Sequence, residues 1–174
     1  CFAGSLEKYE GIDLLLKALS LFRKNDFDFV LNIIGKGSEE NNLKKIAKSY
    51  GLSKKVKFWG QLSFEKARKH LLEASLICLP RIDEKVCHLV PPLKLTEAIA
   101  LNKPVLLPDF KIFRNIISKH NHKAYFFSPN SEKDLHHTIK KAFSNSEDFD
   151  YLLHLGPKED LLWSFKIKKI LNKI

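Results

Sequence analysis

The spacing of apolar residues along this chain alternates between a helical period and short, largely continuous runs. Leu15, Ala18, Leu19 and Phe22 recur every three or four residues, and residues 29–34 then form a run suited to a buried strand. The alternation predicts further helices at residues 39–50, 65–73, 112–118 and 132–143, and further strands at residues 55–59, 75–79, 104–107 and 124–127. We therefore expect an α/β fold, a Rossmann-like parallel sheet with helices on both faces. Ligands of such sheets bind beyond the carboxyl ends of the strands.

Length and composition indicate one domain of the ordinary globular class. The chain has 174 residues, of which 44% are hydrophobic and 29% are charged. No apolar run approaches the roughly 20 residues that a membrane-spanning helix requires. Residues 1–174 are therefore expected to form a single unit. Because residues 1–5 resemble the end of a buried strand and lack a leader-like pattern, we expect this unit to be part of a longer protein.

The three cysteines, Cys1, Cys78 and Cys87, are odd in number and lack the spacing of metal ligands. Neither a disulfide framework nor a zinc site is supported, and a reducing cytoplasm is the expected location. Cys78 lies in the apolar run 76–79 and is expected to be a small core residue.

The chain is basic, with 30 Lys and Arg against 20 Asp and Glu and a formal charge of +10. This charge favours anionic partners without specifying one. The basic residues are spread through segments such as 44–48 and 166–169, and no recognition helix or RNA-binding motif accompanies them. No specific nucleic-acid partner is therefore expected. An anionic membrane surface is the other partner that such a charge favours.

Residues 90–105, which read V-P-P-L-K-L-T-E-A-I-A-L-N-K-P-V, predict a short helix. Pro92 suits the first helical position, where its missing N–H costs nothing. Asn102 suits the left-handed residue that follows the last turn, and the next proline prevents continuation.

The first turn of this helix is a candidate anion site. Its free N–H groups and the charge of Lys94 together favour a phosphate group. Glu97 lies three residues further on, close to the same face, where its carboxylate can accept hydrogen bonds from ligand hydroxyl groups. The alternative is an ordinary surface helix with an exposed lysine and glutamate.

A glycine turn, Gly35-Lys36-Gly37, follows the predicted strand at residues 29–34. Glycine there would let the backbone approach a ligand closely. The patterns G-x-G-x-x-G and G-x-x-x-x-G-K-[ST] are both absent, so neither a nicotinamide cofactor nor P-loop nucleotide binding is supported. Tight turns of an α/β sheet, here and after residue 60, would explain the glycines equally well.

Five motifs follow one another along the chain. They are F-A-G-S-L-E-K-Y-E-G-I-D-L-L-L-K-A-L, L-N-I-I-G-K-G, Y-G-L-S-K-K-V-K-F-W-G, A-S-L-I-C-L-P-R and C-H-L-V-P-P-L-K-L-T-E-A-I-A-L-N-K-P-V. The last resembles the donor-binding motif T-E-L-V-T-P-L-K-P-L-E-A-M-A-x-G-K-P-V of a subgroup of family 4 glycosyltransferases (glycosyl transferases group 1). The first resembles the opening motif G-S-x-x-x-Y-E-G-x-D-L-L of the same subgroup. The resemblance covers the C-terminal, nucleotide-sugar-binding half of the family's GT-B fold.

The resemblance implies the donor-binding domain of a retaining, hexosyltransferase-like enzyme of polysaccharide or glycolipid biosynthesis. The donor would be a nucleotide-diphospho-sugar, and the family generally needs neither a metal nor another cofactor. The turns at residues 35–37 and 60 would lie around the nucleotide base. The nucleotide-sugar-binding residues that the resemblance implies are Ser5, Gly35, Gly37, Gly60, Leu93 and Glu97.

The resemblance also implies partners for this domain. The acceptor site would lie on an N-terminal domain absent from these 174 residues, so the isolated chain would be incomplete as an enzyme. Because the family often glycosylates lipid-linked acceptors, the basic surface suits a cytoplasmic protein held at the inner face of a membrane.

Lys94 and Arg81 are the first two candidate catalytic residues. Negative charge develops on the diphosphate as it leaves the sugar, and donors held at that position lower the barrier. Arg81 directly follows a predicted strand, where ligands of parallel sheets collect. The alternative for Arg81 is a surface arginine paired with Asp83 or Glu84.

Several positions depart from the family pattern. The opening motif carries Ser5 and Glu10 where many members have Arg and Lys, and Asn102 replaces a glycine. His88 replaces an acidic residue, and it is the third candidate catalytic residue, by contact with a sugar hydroxyl, with a structural role as the alternative. Residues 108–115 also differ from the family's S-D-x-G-G-x-x-E-like run. These changes leave open a second function, a non-catalytic α/β interaction module derived from this family.

Overall fold

The structure is a computed structural model that describes residues 1–23, 26 and 28–144. Within these residues the strands are β1 (Phe2–Ala3), β2 (Leu31–Ile34), β3 (Val56–Gly60), β4 (Ile77–Cys78), β5 (Val105–Pro108) and β6 (Ala124–Phe127). The helices are α1 (Ile12–Ser20), α2 (Glu40–Ser49), α3 (Phe64–Glu73), α4 (Lys85–Leu89), α5 (Leu93–Ala100), α6 (Lys111–Lys119) and α7 (Glu132–Ser144). A 3-10 turn, Lys8–Glu10, precedes α1. None of the helices in this part of the chain is long and apolar enough to cross a membrane.

The strands form two parallel three-stranded sheets that lie side by side. One has the order β1-β2-β3 and the other β4-β5-β6. The Cys1 nitrogen donates to the Leu76 carbonyl at 2.7 Å, and the Cys78 N–H donates to the Cys1 carbonyl at 2.8 Å. Strands β1 and β4 are thus neighbours, and the overall order is β3-β2-β1-β4-β5-β6. This is the Rossmann order, in which the connections change direction between β1 and β4.

Helices cover both faces because successive strand residues point to opposite sides. On one face, Phe2 and Ile33 pack with apolar residues of α1, α2 and α7. On the other face, Ile77 and Leu107 pack with apolar residues of α3, α5 and α6. The predicted fold class, a Rossmann-like α/β sheet with helices on both faces, is confirmed.

The helix and strand positions agree closely with the sequence-based expectations. Asn102 has the predicted left-handed backbone, with a φ of 55°. Pro92 is the cap before α5 rather than its first residue, a difference of one position. Helix α4 was not predicted, because its five residues are too few to show a period, and it places His88 in a helix. The sequence also predicts a linker at residues 144–148 and a final amphipathic segment centred on Leu162, Trp163, Ile167 and Ile170; of these residues the structure describes only Ser144.

Gly11 joins the 3-10 turn to α1 and supplies the first stability test. Its φ is 67°, and a β-carbon there would lie 2.1 Å from the Pro80 carbonyl oxygen. Gly51 has a φ of 69° and nothing within 4 Å of the equivalent position, so it is a matched control. Each alanine variant should lose about 1–2 kcal/mol to left-handed strain. We expect Gly11→Ala to lose about 1–3 kcal/mol more through the clash, as measured by urea unfolding. Equal losses would show that this contact is not a packing constraint.

Candidate functional site

The loops that follow β1 and β2 are joined through their backbones. The Gly4 N–H donates to the Ile34 carbonyl at 2.9 Å, and the Leu6 N–H donates to the Lys36 carbonyl at 3.0 Å. Both loops lie at the carboxyl ends of the strands, and the loop after β1 borders the crevice between β1 and β4. These loops therefore lie at the edge of the sheet where ligands of parallel α/β folds bind, and binding of a donor there stays a prediction.

The glycines of the second loop are explained by this close approach. A β-carbon on Gly35 would lie 1.8 Å from the Gly4 carbonyl oxygen, and one on Gly37 would lie 2.4 Å from the Leu6 carbonyl oxygen. Gly60 has a φ of 64° and open space around it, and its carbonyl accepts from the Gly35 N–H at 2.8 Å. The backbone contacts alone thus require glycine at 35 and 37. Contact between these turns and a nucleotide base stays a prediction.

Three charged side chains meet at the crevice, and we call Glu10, Arg81 and Lys94 the charge cluster. Glu10 is 1% exposed, and its Oε1 lies 2.6 Å from Lys94 Nζ and 3.5 Å from Arg81 Nη2. The Arg81 side chain is 9% exposed, and its Nη1 donates to the Val90 carbonyl at 3.1 Å. The alternative of a surface Arg81 paired with Asp83 or Glu84 is therefore wrong.

Each cation of the charge cluster also lies against an aromatic ring. Lys94 Nζ is 4.6 Å from the centre of the Phe2 ring, and the Arg81 guanidinium is 5.5 Å from that of Tyr9. A β-carbon on Gly4 would lie 2.2 Å from Lys94 Cε, so the lysine stem crosses directly over the end of β1. The first turn of α5 thus delivers a positive charge to the crevice.

The charge cluster is electrically unbalanced and has unused hydrogen-bonding atoms. Two cations face one carboxylate, and the buried atoms Glu10 Oε2 and Arg81 Nε have no hydrogen-bond partner. Lys94 Nζ lies 2.6 Å from Glu10 Oε1, which occupies one of the three N–H donors of the ammonium. Desolvation lowers the pKa of Lys94, while Glu10 opposes this shift. Buried charge of this kind is costly unless it is compensated, so the cluster is suited to receive an anion.

The other side chains predicted to bind the donor, those of Ser5, Leu93 and Glu97, do not belong to the charge cluster. Ser5 and Leu93 are exposed, Leu93 to 83%. Glu97 is half-buried, its backbone carbonyl accepts from the Leu101 N–H at 2.9 Å, and its carboxylate makes no hydrogen bond or ion pair with the residues that the structure describes. Burial raises the pKa of Glu97, and the charge of Arg68 on α3 opposes that shift. Glu97 is not paired with Lys94, whose ammonium turns to Glu10.

His88 makes its contacts away from the charge cluster. Its Nε2 is hydrogen-bonded to a carboxylate oxygen of Asp83, and its ring centre lies 4.2 Å from that of Phe110. The ring is still 44% exposed. These contacts fix the orientation of the imidazole, and its action on a sugar hydroxyl stays a prediction.

Glu10 is the site residue whose role the sequence reasoning missed. In the sequence it stands out only as an acidic residue in place of an expected cation. Its partners Arg81 and Lys94 lie 71 and 84 positions away, so no local pattern could connect them. The available signal was a carboxylate directly before the glycine of the Y-E-G motif.

Gly4→Ala should displace Lys94 from the crevice. The new methyl group would occupy the space of Lys94 Cε, and the flexible lysine can move outward. Because burial outweighs Glu10 in setting the pKa of Lys94, we expect that pKa to rise toward its ordinary value. Titration of the Lys94 ε-carbon by ¹³C NMR measures this shift, with Gly51→Ala as the control. An unchanged titration would contradict the close packing of Lys94 on Gly4.

Comparisons with known proteins give the relationships of the chain. The family model described as glycosyl transferases group 1 matches residues 1–153. An uncharacterized glycosyltransferase of Haemophilus influenzae is 26% identical over 174 residues, which cover 98% of this chain and 46% of that protein. The chain thus spans about half the length of this curated relative.

Solved glycosyltransferase structures share the fold. The catalytic domain of cholesterol-alpha-glucosyltransferase from Helicobacter pylori matches with a TM-score of 0.69 and 21% identity, over 99% of this chain and 96% of that chain. Anabaena HepE in complex with UDP and glucose matches with a TM-score of 0.70 and 15% identity, over 99% of this chain and 47% of that chain. At these identities the structural likeness shows the GT-B fold alone. The family match covers most of the sequence, and the chain therefore belongs to the glycosyl transferases group 1 family.

Proposed function

We propose that this chain is the donor-binding domain of a retaining glycosyltransferase, with the diphosphate of a nucleotide sugar held in the crevice between β1 and β4. The observation that carries the proposal is the charge cluster, in which the buried Arg81 and the half-buried Lys94 share one carboxylate and Arg81 Nε has no hydrogen-bond partner. A diphosphate supplies the oxygen acceptors and the negative charge that Arg81 and Lys94 lack. Membership of the family and the complex of HepE with UDP and glucose support the same ligand class.

The chemistry of sugar transfer gives these cations a catalytic role. When the bond between the sugar and the diphosphate breaks, the leaving oxygen gains negative charge. Lys94 and Arg81 lie in a buried site where such charge interacts more strongly with donors than it does in water. The interaction grows as the bond breaks, so it lowers the barrier rather than only strengthening donor binding. In this proposal the two side chains supply the positive charge that the departing diphosphate requires.

Glu97 is proposed to bind the ribose. It lies one turn after Lys94 on α5, it is half-buried, and its carboxylate has no partner among the described residues. Two neighbouring ribose hydroxyls can donate to its two oxygens. The glycine turns at 35–37 and 60 would then lie beside the base, and the exposed Ser5 and Leu93 would border the donor.

The acceptor is proposed to bind to a second domain. This chain covers 46% of its Haemophilus influenzae relative, which leaves room for a further domain in that protein. Four exposed apolar residues of α4, α5 and their connection would face the second domain; they are Val86, Leu89, Val90 and Leu93. The charge of +10 supports a cytoplasmic protein at an anionic inner membrane face, acting in polysaccharide or glycolipid synthesis.

One observation favours the second candidate function, the non-catalytic interaction module. His88 and Phe110 are both departures from the family motifs, and in the structure their rings contact each other. Phe110 is 2% exposed, so this substitution has become part of the core. In an interaction module the altered region would serve packing rather than donor binding, and the folded chain would bind no nucleotide.

The central test of the proposed function is Lys94→Met, which keeps an unbranched side chain over Phe2 and removes the charge. A hydrogen bond to a charged group contributes about 1.5–3 kcal/mol, so the affinity for UDP should fall roughly ten-fold to a hundred-fold. The affinity for uridine should stay unchanged, because a nucleoside lacks the diphosphate. Isothermal titration calorimetry of the full chain with both ligands measures the difference.

Lys45→Met is the matched control for this test, because it removes the same charge from an exposed position on α2. GDP and guanosine are measured in parallel, since no described residue specifies the base. Equal losses for UDP and uridine would show that Lys94 does not recognise phosphate. A folded wild-type chain that binds neither UDP nor GDP would support the interaction module.

Glu97→Gln tests the ribose assignment. Loss of the charged acceptor should weaken UDP binding by roughly ten-fold or more, and should weaken binding of 2′-deoxy-UDP much less. Because burial raises the pKa of Glu97, the wild-type affinity for UDP should fall on acidification at a higher pH than an ordinary glutamate would give. The exposed Glu65→Gln on α3 is the control. Equal losses for the two nucleotides would refute the contact with the 2′-hydroxyl.

A further inference from the structure

We propose that Glu10 is a positioning residue of the diphosphate site, whose carboxylate holds the Lys94 ammonium at the end of β1 and keeps it charged. The inference rests on the function proposed above. It assigns a role to an acidic side chain in a loop that is expected to bind an anion, where a carboxylate would otherwise repel the ligand.

The backbone around Glu10 is held firmly between two loops. Gly11 follows Glu10 with a left-handed backbone and packs against the Pro80 carbonyl. The Ile82 N–H donates to the Tyr9 carbonyl at 3.1 Å, which joins the 3-10 turn to the loop after β4. The Glu10 side chain thus enters the crevice from a fixed backbone. These backbone contacts involve neither of the two cations that the side chain meets.

Three groups face the Lys94 ammonium, and each comes from a different element. The Phe2 ring lies beneath it from β1, the Arg81 guanidinium approaches from the loop after β4, and Glu10 approaches from the 3-10 turn. Desolvation lowers the pKa of Lys94, and repulsion by Arg81 lowers it further, whereas Glu10 raises it. Phe2 offers only the quadrupole of its ring at 4.6 Å, whereas Glu10 carries a full opposite charge at 2.6 Å, so Phe2 is the weaker support. Glu10 is the principal group that keeps this buried lysine protonated.

The geometry leaves both cations able to bind a ligand. Lys94 and Arg81 approach the same Glu10 oxygen, Arg81 Nε has no hydrogen-bond partner, and this one oxygen faces the three N–H donors of the Lys94 ammonium. With one carboxylate for two cations, the cluster keeps a positive charge. Glu10 therefore orients Lys94 without neutralising the site. Only a protonated Lys94 provides the full charge that a diphosphate needs, so the role of Glu10 is most important at alkaline pH.

The test is a pH titration of Lys94, observed at the Lys94 ε-carbon by ¹³C NMR. It compares the wild-type chain with the Glu10→Gln variant, both without ligand. An opposite charge at this range changes a pKa by about 1–3 units, so Lys94 should lose its proton about 1–3 pH units lower in the variant. The alkaline limit of UDP binding should move to lower pH by the same amount, while uridine binding should not change. In a Lys94→Met background, Glu10→Gln should no longer move that limit.

The alternative outcomes separate this inference from the proposed function. A Lys94 titration that Glu10→Gln leaves unchanged, in a chain that binds UDP, would overturn the role of Glu10 alone. Absence of UDP binding by the folded wild-type chain would overturn the proposed function and, with it, the ligand role of Glu10. If Glu10→Gln does not fold, Glu10→Asp withdraws the carboxylate by one methylene, and Lys94 should still deprotonate at a lower pH than in the wild type. An unchanged Lys94 titration in folded Glu10→Asp would also overturn the inference.

Discussion

The ion pair between Glu10 and Lys94 connects the elements on which the candidate site depends. It links the 3-10 turn before α1 to the first turn of α5, across the end of β1. Arg81 adds the loop after β4 to the same carboxylate. Strands β1 and β4 share only a few backbone hydrogen bonds, and the charge cluster adds ion pairs between the segments that follow them. Because breaking a buried pair leaves an uncompensated charge, the site and the junction of the two sheets are coupled energetically.

Close backbone packing makes this arrangement possible. Gly4 lets the lysine stem cross the end of β1, and Gly35 lets the second loop lie against the Gly4 carbonyl. Gly11 brings the 3-10 turn onto the loop after β4. A side chain at Gly11 or Gly35 would push neighbouring backbone segments apart, and one at Gly4 would displace the lysine stem. The glycines of the opening motifs therefore have a structural explanation that does not require a ligand.

Much of the fold was predictable because it depends on local patterns. Helical periodicity, short apolar runs and signals such as Asn102 each act within a few residues. Lys94 and Arg81 were predictable candidates for a similar reason, since each lies at the end of an element that borders the carboxyl ends of the strands. Glu10 and the contact of His88 with Phe110 were not predictable, because they depend on how distant loops pack. The short helix α4 was missed because five residues cannot display a period.

A crystal structure of the full chain with UDP would show whether the charge cluster holds the diphosphate. We expect diphosphate oxygens within hydrogen-bond distance of Lys94 Nζ and Arg81 Nε, with Glu10 still beside the lysine. Arg81 Nε is a buried donor without a partner in the described residues. A diphosphate bound elsewhere, for example at Lys36 in the glycine turn, with the charge cluster unchanged, would contradict the account.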